Sequence, residues 1–248
     1  GWSGVANIDW EAWKPDWAQN KYNEYWIYIN KSIELVQQQH PSWSPAKQEA
    51  AAQADFGEAA QLFWNESIVL ARKLRPHGRW GWYNFPGEAG SAPSDDRMLW
   101  LYENVNALFP SIYLESADAA TNTERVDKQM SEARRVRDEV SDATGRHTSD
   151  LPIYTFTWMD YYAGEVTPWI SMLDAANLEV EFARPAKMWG AAGTVLWGAS
   201  ADTANVTLCG SGPDSKSAYV NSSLGPVVLR AANEADSCAA SRCSGHGT

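Results

Sequence analysis

Short apolar runs alternate along this chain with longer segments whose apolar residues recur every three or four positions. Residues 4–10 form the first run and read as a strand. Beyond Pro15 the aromatic residues Trp17, Tyr22, Tyr25, Trp26 and Tyr28 show no clean period, which predicts a long loop with a helical turn. Residues 32–39 read as a short helix closed by His40-Pro41. Ser44 and Pro45 suit the N-cap and first position of a helix running to about Leu74. Its face is predicted from Phe56, Ala60, Phe63, Ser67, Leu70 and Leu74, with Asn65 roughly opposite. Strands are then expected over residues 79–85, 109–114, 151–158 and 193–198. The helices between and after them fall over 95–106 (Met98, Leu99 and Tyr102 inward), 123–142 (Val126, Met130, Ala133 and Val136 inward), 169–190 and 215–233. Pro185 should kink the third of these, and Gly225-Pro226 interrupts the last.

Strict alternation of strand and helix argues for an α/β fold, a parallel sheet with helices packed outside. In closed barrels of this class, chemistry gathers at the C-terminal ends of the strands. Those ends carry Asp9 and Glu11, Tyr83, Tyr113, residues 158–162 and Trp197. If the first run is a strand, Asp9 and Glu11 at its end point the same way and Trp10 points opposite, because side chains alternate along a strand. Spacing alone leaves open a solvated surface pair. Carboxylates ringed by Tyr and Trp describe a carbohydrate site, since sugar C–H edges stack on aromatic faces.

Composition narrows the partners. The net charge of −11 argues against nucleic acid, which is bound by Lys and Arg on phosphates. No apolar run is long enough to span a membrane. Fourteen tryptophans are the outlier, and most are expected in the core with a few lining a groove. Three cysteines, Cys209, Cys238 and Cys243, make an odd count. Sequons at Asn30, Asn65, Asn205 and Asn221 favour the secretory route. The start at Gly1 lacks the pattern of a signal peptide, so a mature or truncated polypeptide is expected. His40, His77, His147 and His246 fall in predicted loops or tails, and neither a metal nor a cofactor is expected.

Several motifs in order resemble one family. Ile8-Asp9-Trp10-Glu11-x-Trp13-Lys14-Pro15 is similar to the I-D-[WF]-E-x-W-R-P of animal hyaluronidases of the venom, sperm and lysosomal type. The residues 80–86 (WGWYNFP), 107–113 (ALFPSIY) and 190–198 (GAAGTVLWG) resemble further family motifs. Ser32-Ile33-Glu34-Leu35-Val36, Leu224-Gly225-Pro226 and Cys238-x4-Cys243-Ser-Gly-His-Gly complete the order.

The resemblance implies a TIM-like (β/α) barrel over residues 1–233, with its first strand–helix units missing upstream. Residues 234–248 would begin an EGF-like module. It implies disulfides through Cys209, Cys238 and Cys243 to cysteines outside this chain; the loop over 87–94 carries no cysteine. It implies a secreted or lysosomal endo-β-N-acetylhexosaminidase acting on hyaluronan, with chondroitin as a second polymer. Catalysis would be retaining and substrate-assisted. Glu11 would be the general acid and then base, Asp9 would orient the acetamido group, and Tyr83, Tyr113 and Trp197 would bind substrate. Three positions depart from the family: Lys14 and Gln129 replace arginines, and Phe156 replaces a tyrosine. The last two leave a hyaluronan-binding or adhesion protein without turnover as the alternative.

Overall fold

Strand β1, Gly4–Ile8, runs parallel to β2, Gly78–Trp82, in a register that pairs Gly4 with Gly78 and Ile8 with Trp82. The structure is a computed structural model that describes residues 2–87, 98–162, 172–198 and 206–242. The chain divides into two compact units. The first comprises Gly1–Tyr83 with Ala92–Asn106, the second Asn84–Ser91 with Ala107–Thr248.

In the first unit, 3-10 turns at Trp17–Lys21 and Asn23–Tyr25 lead into helix α1, Trp26–Gln39, which therefore starts six residues before the expected position of 32. Helix α2 spans Pro45–Leu74, and the Ser44 side chain accepts the Lys47 N–H at 3.4 Å, as the capping residues predict. Its buried side differs from the expected one. Gln48, Ala52, Ala60, Trp64 and Ile68 are buried, whereas Phe63, Leu70 and Leu74 are exposed. The face is set by Trp64, whose ring packs 4.0 Å from that of Trp82 on β2. A four-residue step drifts about 40° per turn, so the buried stripe winds around the helix: Ala52 packs in the cluster of Trp17, Ile29 and Val36, and Trp64 meets Trp82. Strand β2 is paired on its other side by Asn106, whose Oδ1 accepts the Trp80 N–H at 2.6 Å and whose Nδ2 donates to the Gly78 carbonyl at 3.0 Å. Helix α3 is Leu99–Glu103, ending three residues before the predicted limit at 106, with Leu101 and Tyr102 buried; residues 95–97 of the prediction lie outside the described residues.

In the second unit, β3, Tyr154–Trp158, runs parallel to β4, Gly193–Trp197. The strand expected over 109–114 meets β3 through a single bridge, Ser111 with Phe156, and just before both segments Leu108 bridges Ile153; both bridges are parallel. The Phe156 N–H donates to the Pro110 carbonyl at 2.8 Å and Ile112 returns a bond to Phe156 at 3.0 Å, but Pro110 itself has no N–H to give. Helix α4, Ala119–Thr144, starts at Asp118, whose carboxylate accepts from Ala120 and Thr121, and ends at Gly145, whose φ of 68° lies in the left-handed region that favours glycine. Val126, Met130, Ala133 and Val136 are buried on it, as their spacing predicts.

Pro185 falls in the first turn of its own α segment, just after a change of helix type. The described part of the helix expected over 169–190 comprises α5, Ala175–Leu178, a π segment, Glu179–Ala183, and α6, Arg184–Trp189. The wider turn sends the Arg184 N–H to the Glu179 carbonyl, so the ladder is already re-spaced where Pro185 withholds its donor. The same device precedes Pro226. A π segment, Val220–Leu224, leads into the helix Gly225–Arg242, with the Gly225 N–H on the Val220 carbonyl. That last helix runs nine residues past the expected end at 233.

Candidate active site

β1 ends at Ile8, two residues before its expected limit. Asp9 and Glu11 therefore lie on a loop just beyond the C-terminal end of β1, and strand alternation does not set their directions. Both are exposed. The Tyr83 N–H donates to the Ile8 carbonyl at 3.0 Å, extending the parallel ladder by one step. The register thus brings Asp9 and Tyr83 to neighbouring strand ends. Tyr83 is half-buried.

Aromatic packing fastens this loop to α2. The Trp10 ring lies 5.1 Å from Phe63, and Trp13 lies 5.4 Å from Phe63, 5.6 Å from Phe56 and 5.9 Å from Trp64. Phe63, expected in the core, stays partly exposed because it forms the seat for these two indoles. Lys14 sits 5.6 Å from the centre of the Tyr25 ring. Burial first, then the charges of Glu24 and Glu11, push the Tyr25 hydroxyl above its ordinary pKa, so Tyr25 stands within the field of Glu11.

Tyr113 and Trp197 belong to the second unit. Tyr113, Trp158 and Tyr162 form a triangle of half-buried rings, with centroids 5.8, 5.8 and 5.4 Å apart. Trp197 is the register partner of Trp158 on β4 and is 53% exposed, enough to present an indole face to a ligand. The expectation that most tryptophans are core does not hold among the described residues. Trp17, Trp64 and Trp82 are buried, while Trp2, Trp10, Trp26 and Trp197 are exposed.

Of the three departures, Gln129 and Phe156 lie inside the second unit. Gln129 is buried and donates from Nε2 to the Pro86 carbonyl at 2.7 Å, and Phe156 is buried with its ring 6.1 Å from Phe109. Of the sequons, Asn30 and Asn221 are exposed and Asn65 is half-buried on α2; Asn205 lies outside the described residues. Cys209 and Cys238 are exposed, and Cys243 lies outside the described residues. Among the described residues no group of His, Cys, Asp and Glu could hold a metal, and no helix is long and apolar enough to cross a membrane.

A buried carboxyl that the sequence did not single out supports the strand end carrying Trp158. Glu181, in the π segment, is fully buried and accepts the Trp158 N–H at 2.9 Å through Oε1, while Oε2 has no hydrogen-bond partner. Burial raises its pKa well above the ordinary carboxylate value, against the opposing pull of that N–H and of Arg125. The folded chain therefore binds this proton more tightly than the unfolded chain. The resulting stability is present below pH 4.5 and is lost as pH rises through the raised value. Asp127, lowered by its bond from Arg184, and Asp174, lowered by the Asn177 N–H, act in the opposite sense at acid pH. Glu181→Gln keeps an acceptor for Trp158 and removes the titration. Its melting temperature is expected to fall less steeply than the wild type's as pH rises above 4.5. Parallel slopes in calorimetry over that range would remove Glu181 from the linkage.

The hyaluronidase family model matches residues 1–248. Hyaluronidase-1 of Sus scrofa is 37% identical over 262 residues, covering 99% of this chain and 56% of the relative. Hyaluronidase-1 of Homo sapiens is 34% identical over 260 residues, covering 99% and 56%. The chain thus spans about half the length of the curated relatives it matches. Among solved structures, bee venom hyaluronidase in complex with a hyaluronic acid tetramer aligns with a TM-score of 0.77 at 28% identity, covering 92% of this chain and 70% of that one.

Proposed function

We propose that this chain, which belongs to the hyaluronidase family, carries the acid–base machinery of a glycoside hydrolase that cuts the β-1,4 bond between N-acetylhexosamine and glucuronate in hyaluronan. The observation that carries the reading is the loop beyond β1. It holds two exposed carboxylates, Asp9 and Glu11, at a strand's C-terminal end, with Tyr83 on the neighbouring strand end.

The mechanism follows from these groups. Glu11 donates its proton to the glycosidic oxygen as the bond to the anomeric carbon breaks. The acetamido oxygen of the substrate attacks that carbon from the opposite face, giving an oxazolinium ion and freeing the leaving sugar. Asp9 orients the acetamido group and stabilises the positive charge developing at its nitrogen. Glu11, now a carboxylate, takes a proton from water as that water opens the ring and restores the original configuration. Tyr83 bonds the acetamido group, and we assign Tyr113 and Trp197 to substrate binding in the second unit. Chondroitin, whose backbone presents the same acetamido group, is a second substrate of this chemistry. Three exposed or half-buried sequons in the described residues fit a protein of the secretory route, extracellular or lysosomal. The reading of 234–248 as the opening of an EGF-like module rests on the Cys238-x4-Cys243-Ser-Gly-His-Gly order, and the helix Gly225–Arg242 occupies its first part.

Proton NMR of the first products released from hyaluronan tests the mechanism. Two inversions predict that the new reducing end appears first as the β anomer; an initial α anomer would exclude acetamido participation. A binding protein without turnover is the second reading, favoured by Gln129 and Phe156. It predicts retained hyaluronan affinity with no new reducing ends at any pH.

A further inference from the structure

We propose that Asn20 is a positioning residue that fixes the carboxylate loop, and through it Glu11; the inference rests on the acid–base role assigned to Glu11 above. Asn20 is completely buried although it is polar. Its amide is fully committed to the loop's far end. Oδ1 accepts the Lys14 N–H at 2.8 Å, and Nδ2 donates to the Lys14 carbonyl at 2.7 Å and to the Asp16 carbonyl at 2.9 Å. Both polar groups of the Lys14 backbone are taken by one side chain, as a neighbouring strand would take them.

The near end of the loop is held by the Tyr83 N–H on the Ile8 carbonyl. Among the described residues, 9–13 make no backbone–backbone hydrogen bond. Between its two fixed ends the loop is located by the Trp10 and Trp13 rings on α2, contacts that resist separation but permit sliding. Directional bonds set the reach of the backbone. Releasing Lys14 frees the segment that carries Glu11 to shift along the aromatic seat. A displacement on the order of 1 Å at a reacting group costs about 10²-fold in rate. Asn20 touches no substrate in this scheme, so its effect must pass through Glu11.

The test uses the full chain with Asn20→Ala and Asn20→Asp. The aspartate keeps the acceptor for the Lys14 N–H but loses both donors and sets an oxygen against two carbonyls. Steady-state hyaluronan cleavage is expected to lose about 10- to 100-fold in kcat with KM changed less than about twofold. Amide exchange over residues 9–16 should accelerate while α2 keeps its protection. In a Glu11→Gln background, Asn20→Ala should cost nothing further. Equal losses in both backgrounds, or a fall in kcat only in step with the folded fraction, would overturn the proposal. So would unchanged exchange at Lys14. If Asn20→Ala fails to fold, Asn20→Asp carries the same readouts. Absence of Glu11-dependent cleavage by the unmutated chain would overturn the functional reading instead, and exchange at Lys14 would then judge the clamp by itself.

Discussion

Glu11→Gln is expected to lower kcat for hyaluronan cleavage by about 10²- to 10⁴-fold while leaving hyaluronan affinity within a few-fold of the original. Glutamine matches glutamate in size and keeps the carbonyl oxygen, so the packing of Trp10 and Trp13 on α2 is untouched. What disappears is the proton. The substituted side chain can neither protonate the glycosidic oxygen nor take a proton from water, and both chemical steps slow. Loss of rate with retained binding marks an interaction made in the transition state rather than the ground state. Reducing-end assays and equilibrium binding on the same preparation separate the two. Cleavage undiminished in Glu11→Gln would end the assignment of Glu11 as the acid.

Trp64→Ala is expected to destabilise the first unit by about 3–5 kcal/mol, the range for removing a large aromatic residue from a packed core. Trp64 is 1% exposed and joins two parts of the site scaffold. Its ring meets Trp82 on β2 at 4.0 Å and Trp13 of the carboxylate loop at 5.9 Å. The alanine variant therefore opens a cavity beneath the loop as well as weakening the contact between helix and strand. Leu74→Ser, on the same helix but 59% exposed, is expected to stay within about 0.5 kcal/mol. Denaturant melts of both variants decide between the observed helix face and the one that spacing predicts. Equal effects at positions 64 and 74 would contradict the packing described here.

The order of strands and helices was readable because local composition and period mark each element, and on some of them the period also marks the buried face. The stripe on α4 shows this well, since Val126, Met130, Ala133 and Val136 are all buried there. The capping pair Ser44-Pro45 likewise acts within one turn and needs no distant partner. The face of α2 is not legible in the spacing, which cannot choose between two overlapping apolar stripes. That choice belongs to Trp82, a residue distant in sequence, which gives the ring of Trp64 its partner.

The candidate site divides along the same line. Composition and order by themselves determined the family, the carboxylate pair Asp9 and Glu11, and the aromatic residues at strand ends, because residue type alone fixes which side chains can move a proton or stack on a sugar. Only the tertiary structure decided how the pair is carried. Strand β1 stops at Ile8, so the loop is held by Trp13 on α2 and by the amide of Asn20, neither of which a local period records. The same holds for Glu181, whose place in a π segment and bond to Trp158 depend on a chain separation of 23 residues. Local chemistry is written in neighbouring residues, whereas the fixing of a loop or the burial of a charge depends on what the fold brings against it.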